Sequence, residues 1–190
     1  MEELDLVVDI GNSKTCAILF ENPTGQNFHF NSVKKLEIQD FSQPMRKYDD
    51  SFSTRIVFKE SNFSSASIEL NQNGKFIWPS PVRIGYEAEE TINNASVELK
   101  LSRETRTFNS SPKRYLWDNK PSELEWEYHL EDIEQPFRRV YKKGVSEQLN
   151  SDGSFCKDGI FGTEARYSRQ SLMTFVYLEI FSHAFRQINS

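Results

Sequence analysis

Residues 4–21, LDLVVDIGNSKTCAILFE, restrict the fold of this chain more than any other stretch. Two apolar, β-branched runs, residues 4–9 and 15–20, are joined only by Ile10 to Lys14, a connection short enough to turn the chain straight back on itself. The stretch predicts a β-hairpin. Because LVV and CAILF run apolar on both faces, the hairpin is expected at the centre of its sheet. Cys16, inside the second run, is accordingly expected to be buried and inert.

Turn and period signals divide the rest of the chain. NPTGQN at 22–27 is turn chemistry, and FHFNSVKKLEI, with Phe28 and Phe30 alternating, suggests another strand pair. Residues 39–53 lack a period and read as loop. TRIVFKE at 54–60 reads as a strand, and SIELNQNGKFIWP as a hairpin closing on Asn73-Gly74. After Gly85, YEAEETI is a strong helix former with carboxylates near its start. Pro112, Pro121 and Pro136 then break the chain into pieces, within which YLWDNKPSELEWEYHLEDIEQPF reads as an irregular insertion or a short strand pair. Residues 150–162 read as a loop or small hairpin. From about Ser168 the pattern is helical: Leu172, Phe175, Val176 and Ile180 share a face that continues to Ala184, and Ser168 or Ser171 can cap it. The apolar run within it, Leu172 to Phe181, contains Glu179 and falls well short of the roughly twenty residues that span a bilayer, so it predicts a buried helix.

Composition excludes some functions. With 28 acidic against 23 basic residues and a net charge of −5, the chain lacks the basic excess that a phosphate-backbone footprint needs, so nucleic acid is not an expected partner. Aromatic residues, 15 Phe, 7 Tyr and 3 Trp, must fill much of a core whose overall hydrophobic share is 37%. Two cysteines, Cys16 and Cys156, make no disulfide framework, and no secretory signal precedes Leu4, so a cytoplasmic location is expected.

The hairpin connection carries the chemistry. Asp9, at the end of a strand, can face a hydrated magnesium ion, which keeps most of its waters and takes one or two protein oxygens. Gly11 allows a positive φ or a close approach of phosphate to the backbone. The N–H groups of Asn12, Ser13 and Lys14 can form an anion nest, Ser13 and Thr15 can donate hydroxyl bonds, and Lys14 adds a point charge. The competing reading is a plain tight hairpin in which Asp, Gly and Asn only build the turn. Elsewhere the chain offers less. His29, His129 and His183 are far apart, and no His or Cys pair has metal-ligand spacing. His183, on the terminal helix, reads as a packed side chain. The carboxylates of Glu123–Glu134 read as a solvated face, Arg138–Gly144 as a basic surface patch, and no G-x-S-x-G elbow is present.

VVDIGNSKTCAILFE resembles the first phosphate motif of the actin, heat-shock chaperone and sugar-kinase superfamily, in which Asp-x-Gly-(Thr/Asn)-(Thr/Ser) links the first two strands of a ribonuclease-H-like subdomain. STRIVF at 53–58 stands where that superfamily has its third strand. RIGYEAEE at 83–90 resembles the hydrophobic-Gly-x-x-Ala segment that opens the following helix. DIGNSKTCAILFE, SSPKRYLWD at 110–118 and the terminal SRQSLMTFVYLEIFSHAFRQINS are similar to the N-terminal part of the SrfB-type bacterial virulence-factor family.

The resemblance implies an α/β fold: a ribonuclease-H-like, actin-like ATPase N-terminal subdomain, incomplete, with a β-rich insertion and a C-terminal helix. Residues 1–190 would be one N-terminal fragment of a larger protein. Residues 1–60 would carry the three-stranded core, 61–165 the hairpin, helix and insertion, and 166–190 the closing helix. It implies phosphate binding by Gly11, Asn12, Ser13, Lys14 and Thr15, water-mediated magnesium at Asp9, and Mg-ATP as the cofactor of the longer protein. The remainder of that polypeptide would be the chief partner. The superfamily's second phosphate motif and Gly-rich adenosine motif are not visible here. KDGIFGTEA at 157–165 has the wrong glycine spacing for the former. This stretch alone is therefore expected to be inactive and to hold nucleotide weakly. A protein-interaction module on the same scaffold and a small-molecule kinase fragment are the alternatives, and an outward apolar face on the terminal helix is expected to self-associate.

Overall fold

The computed structural model describes residues 4–21, 33–40, 43, 45–59, 62–64, 75–77, 82–94, 105–106, 108–120, 125–129, 137–139 and 168–189. They form a mixed α/β arrangement of several small sheets and two α-helices, closed by a C-terminal helix. The turn at 22–27, Phe28, Phe30, His29, Asn73-Gly74, Cys156 and the segments 150–162 and 157–165 lie outside the described residues.

The predicted hairpin is present. Strand β1 (Leu4–Ile10) pairs antiparallel with β2 (Lys14–Glu21), from Leu4 opposite Glu21 to Ile10 opposite Thr15. The expected central position is met by β2. Strand β2 is central, because β3 (Val33–Lys35) and β6 (Phe52–Ser53) both pair with it, whereas β1 pairs only with β2 among the described residues. The alternation of a strand explains why apolar content on both faces misleads here. Leu6, Val8, Ile10, Ala17 and Leu19 turn toward the core, while Asp5, Val7, Asp9 and Cys16 turn away. Val7 is 52% exposed. Cys16 is exposed as well, which overturns the expectation of a buried thiol: its place in the alternation puts it on the outer face.

The stretch 39–53, expected as aperiodic loop, makes short bridges instead. Strand β4 (Ile38–Gln39) pairs with β5 (Lys47–Tyr48), and Tyr48 stacks on Tyr86 at 4.0 Å. Strand β7 (Ile56–Phe58), the predicted STRIVF strand, is wholly buried between two antiparallel neighbours, β10 (Val82–Ile84) and β12 (Phe108–Asn109). Strand β8 (Asn62–Ser64) pairs antiparallel with β9 (Lys75–Ile77), so the described partner of the predicted second hairpin arm lies ahead of SIEL, whose own residues are outside the described ones. In the proline-broken region, β11 (Thr105–Arg106) runs parallel to β13 (Glu125–His129), which pairs antiparallel with β14 (Phe137–Arg139). Trp126 of β13 is fully buried against Phe58, with ring centroids 5.0 Å apart, so an aromatic anchor ties this piece to the core.

Helix α1 (Gly85–Asn94) starts where the sequence places it. Gly85 has φ +65°, and a Cβ there would lie 3.2 Å from Phe52 Cβ. Both the left-handed conformation and the contact therefore call for glycine. Val57, Ala88 and Ile92 form a small second cluster on the α1 side of β7. Helix α2 (Ser171–Ile188) buries Leu172, Phe175, Val176, Ile180 and Ala184 against the main core, the predicted face. Gln170 occupies the N-cap position without a side-chain cap bond, and Ser168, two residues earlier, accepts the Ser171 N–H at Oγ (3.2 Å) across the turn that leads into the helix.

One charged group interrupts that apolar face. Glu179, fully buried, lies 3.4 Å from Nη1 of Arg83 on β10, itself 1% exposed. Arg83 Nε is 3.8 Å from Glu87 of α1, which Lys59 also approaches at 3.5 Å. His183 packs beside the cluster, accepting the Gln39 N–H at Nδ1 (3.3 Å), with Nε2 3.6 Å from Glu179. It is a packed histidine, as expected.

Two substitutions test this account by urea denaturation. Gly85→Ala is expected to destabilise by about 1–3 kcal/mol, from forced backbone strain. Arg83→Met, which leaves Glu179 and Glu87 buried without their shared cation, is expected to cost about 3–5 kcal/mol. Equal stability of either variant and parent would refute the corresponding role.

Candidate functional site

The connection between β1 and β2 is a tight, well-fastened loop. The Gly11 N–H donates to Lys14 O at 2.9 Å, closing the turn over Asn12 and Ser13. A Cβ on Gly11 would stand 2.5 Å from that same Lys14 oxygen. The glycine is thus required by the turn itself, since no positive φ is found at this position.

Thr54, just before β7, fastens the loop to the second sheet. Its N–H donates to Ser13 O at 3.0 Å and its Oγ donates to Gly11 O at 3.1 Å. Thr15 and Thr54 hydroxyl oxygens are 2.9 Å apart. A hydroxyl has one proton, and Thr54 spends its own on Gly11, so Thr15 is the donor of this pair. Thr15 is 1% exposed.

The predicted site residues therefore separate into two groups. Gly11 and Thr15 build and anchor the turn. Asn12 and Ser13 sit exposed at its tip, and Asp9 and Lys14 are exposed beside it on the outer face, next to Cys16, which lies directly across from Asp9. Among the described residues, neither the Asn12 nor the Ser13 N–H has a backbone acceptor. The arrangement offers two amides and an ammonium beside one carboxylate. This donor set fits an anion with an attendant divalent cation.

A further cation reaches the loop from far along the chain. Lys113 Nζ donates to Ile10 O at 2.5 Å across a separation of 103 residues. Lys113 belongs to a 3-10 turn, Pro112–Tyr115, entered through Ser111 in the left-handed region at φ 56°. The turn is held against the start of α2. Asp118 O accepts the Gln170 N–H at 3.0 Å, and Arg169 lies 3.8 Å from the Asp118 carboxylate and 4.5 Å over the Tyr115 ring. Nothing in the loop's own sequence points to Lys113. Its only signal is its place in SSPKRYLWD, one of the segments on which the family resemblance rests.

The five resemblance segments are in physical contact. Thr54 of STRIVF holds the loop, Arg83 of RIGYEAEE pairs with Val57 of STRIVF, Lys113 of SSPKRYLWD reaches Ile10, and Arg169 and Gln170 of the terminal segment hold Asp118. A small cavity between β4, β5 and α2, lined by Glu37, Gln39, Lys47, His183, Arg186 and Gln187, includes none of the loop residues. No described helix is long and apolar enough to cross a membrane.

No curated protein and no solved structure matches the chain. A family model, virulence factor SrfB, matches residues 2–190, the span that contains the loop, Lys113 and both helices. The chain belongs to the SrfB virulence-factor family.

Proposed function

We propose that this chain is the N-terminal portion of an ATP-binding domain of the actin and chaperone kind, ribonuclease-H-like in its core, with the β1–β2 loop as its first phosphate-binding element. The observation that supports the reading is a turn fastened by Thr54, with Asn12, Ser13 and Lys14 exposed on it and Lys113 bonded to Ile10 O at its base. Two ammonium groups and a fixed nest stabilise phosphate charge without having to reorganise when the ligand arrives.

In this reading Asp9 meets magnesium through water, and Asn12, Ser13, Lys14 and Lys113 hold phosphate oxygens. Gly11 and Thr15 act indirectly by shaping the turn. Magnesium, when bound, neutralises phosphate charge, and such domains work mainly by positioning and electrostatics. The second phosphate element and the adenosine element would be supplied by a longer polypeptide.

A second reading, a protein-interaction scaffold without nucleotide chemistry, has its own support. Helix α2 exposes Tyr177, Phe181, Phe185 and Ile188 in one stripe, with Tyr177 and Phe181 stacked at 6.2 Å. In addition, the turn geometry accounts for Gly11 and Thr15 with no ligand present.

Calorimetric titration of the intact native polypeptide with Mg-ATP separates the two. Sub-millimolar binding that weakens at least about tenfold, roughly 1.4 kcal/mol, in both Asp9→Asn and Lys113→Ala is the expected result. Binding unchanged by both substitutions would remove these residues from the site. No binding by the intact polypeptide would favour the scaffold reading.

A further inference from the structure

Thr54 ties the loop to the start of β7, and the residue that follows it is an arginine. From Phe52 to Phe58 the side chains alternate between two faces. Phe52, Ile56 and Phe58 belong to the main core and Thr54 bonds Thr15, whereas Val57 lies in the cluster on the α1 side. Arg55 therefore projects on the face away from Thr54, where it is exposed. The same face carries Lys14, because Lys14 stands directly opposite Ser53 in the β2–β6 pair. Asp9 and Cys16 continue it along the hairpin.

Two neighbours fix where Arg55 stands. On the loop side, the Thr54 N–H bond to Ser13 O at 3.0 Å holds the preceding residue against the tip of the turn. On the other side, β12 runs beside β7 with Asn109 opposite Ile56, so the chain that continues through Ser110 and Ser111 to Lys113 passes next to Arg55. Its own backbone is held too, since the Arg55 N–H donates to Ser53 Oγ at 3.3 Å. The arginine thus stands between the segment that carries the loop tip and the segment that delivers Lys113.

Charge indicates what such a residue would take. Asp9, Lys14 and Lys113 together carry a single net positive charge, which matches a nucleoside diphosphate with its magnesium ion. Arg55 raises that charge to two, which matches a nucleoside triphosphate with its magnesium ion. A guanidinium stays charged at any physiological pH and offers a planar fork to two phosphate oxygens.

We infer that Arg55 is a further phosphate-binding residue of the loop site, one that contacts the terminal phosphate group and so raises affinity for a nucleoside triphosphate relative to the diphosphate. The inference rests on the nucleotide-binding reading of the β1–β2 loop.

The test is calorimetric titration of the intact native polypeptide with Mg-ATP and with Mg-ADP, for the parent, Arg55→Ala and Arg55→Lys. Position 55 is exposed, so its side chain can be cut back without opening the core. Arg55→Ala is expected to weaken Mg-ATP binding at least about tenfold and Mg-ADP binding less than about threefold. Arg55→Lys, which keeps the charge and loses the fork, is expected to regain at least part of the Mg-ATP loss. With a parent that binds Mg-ATP, any of three results would overturn this inference alone: unchanged Mg-ATP affinity in Arg55→Ala, equal weakening of both nucleotides, or no recovery in Arg55→Lys. A parent that binds neither nucleotide would overturn the loop reading itself, and this inference with it.

Discussion

The pairing of Glu179 with Arg83 governs how the pieces of this chain are assembled. Glu179 stands in the middle of the apolar face of α2, where an uncompensated carboxylate would be costly, and the helix settles with Arg83 and His183 beside it. That placement sets the rotation of α2 and its position along its axis. At the far end, Gln187 then accepts the Glu37 N–H at 2.8 Å and donates to Lys35 O at 2.9 Å, tying the helix to the edge of the first sheet. At the near end, Gln170 and Arg169 hold Asp118, and with it the turn that delivers Lys113 to the loop. A buried charge on one element thereby places a cation on another.

Much of this architecture could be read from local pattern. The hairpin, the β7 strand, the start of α1 at Gly85 and the buried face of α2 all follow from short-range period and capping chemistry. These signals are local, and they hold because the packing of each element agrees with its own preference. The exposure of Val7 and Cys16 among the described residues was not legible, because an apolar run reports the capacity for burial and not which face is covered. The short bridges within 39–53 were missed for a different reason: β4, β5 and β6 are each too brief to show a period, and they exist only because Gly85, Tyr86 and Thr15 provide partners.

The candidate site was legible in part. Asp9, Asn12, Ser13 and Lys14 lie exposed at or beside the turn that the sequence predicts. The hydroxyl of Thr15 does not, because strand alternation carries it to the core face, where Thr54 receives its proton. Lys113 could not have been found by spacing, since its approach depends on a left-handed residue, a proline and two contacts with the residues that lead into α2.

The contact between Gly11 and the Lys14 carbonyl bears on how relatives of this chain should be compared. Any side chain at position 11 would strike that oxygen whether or not a ligand ever visits the loop. A lineage that had abandoned the site would therefore still retain this glycine, together with Thr15 and Thr54, simply to keep the hairpin closed. Divergence would first erode Lys14 and Lys113, whose ammonium groups the turn does not need for its own geometry. The lysines, more than the glycine that makes the motif recognisable, are where loss of the site would be recorded.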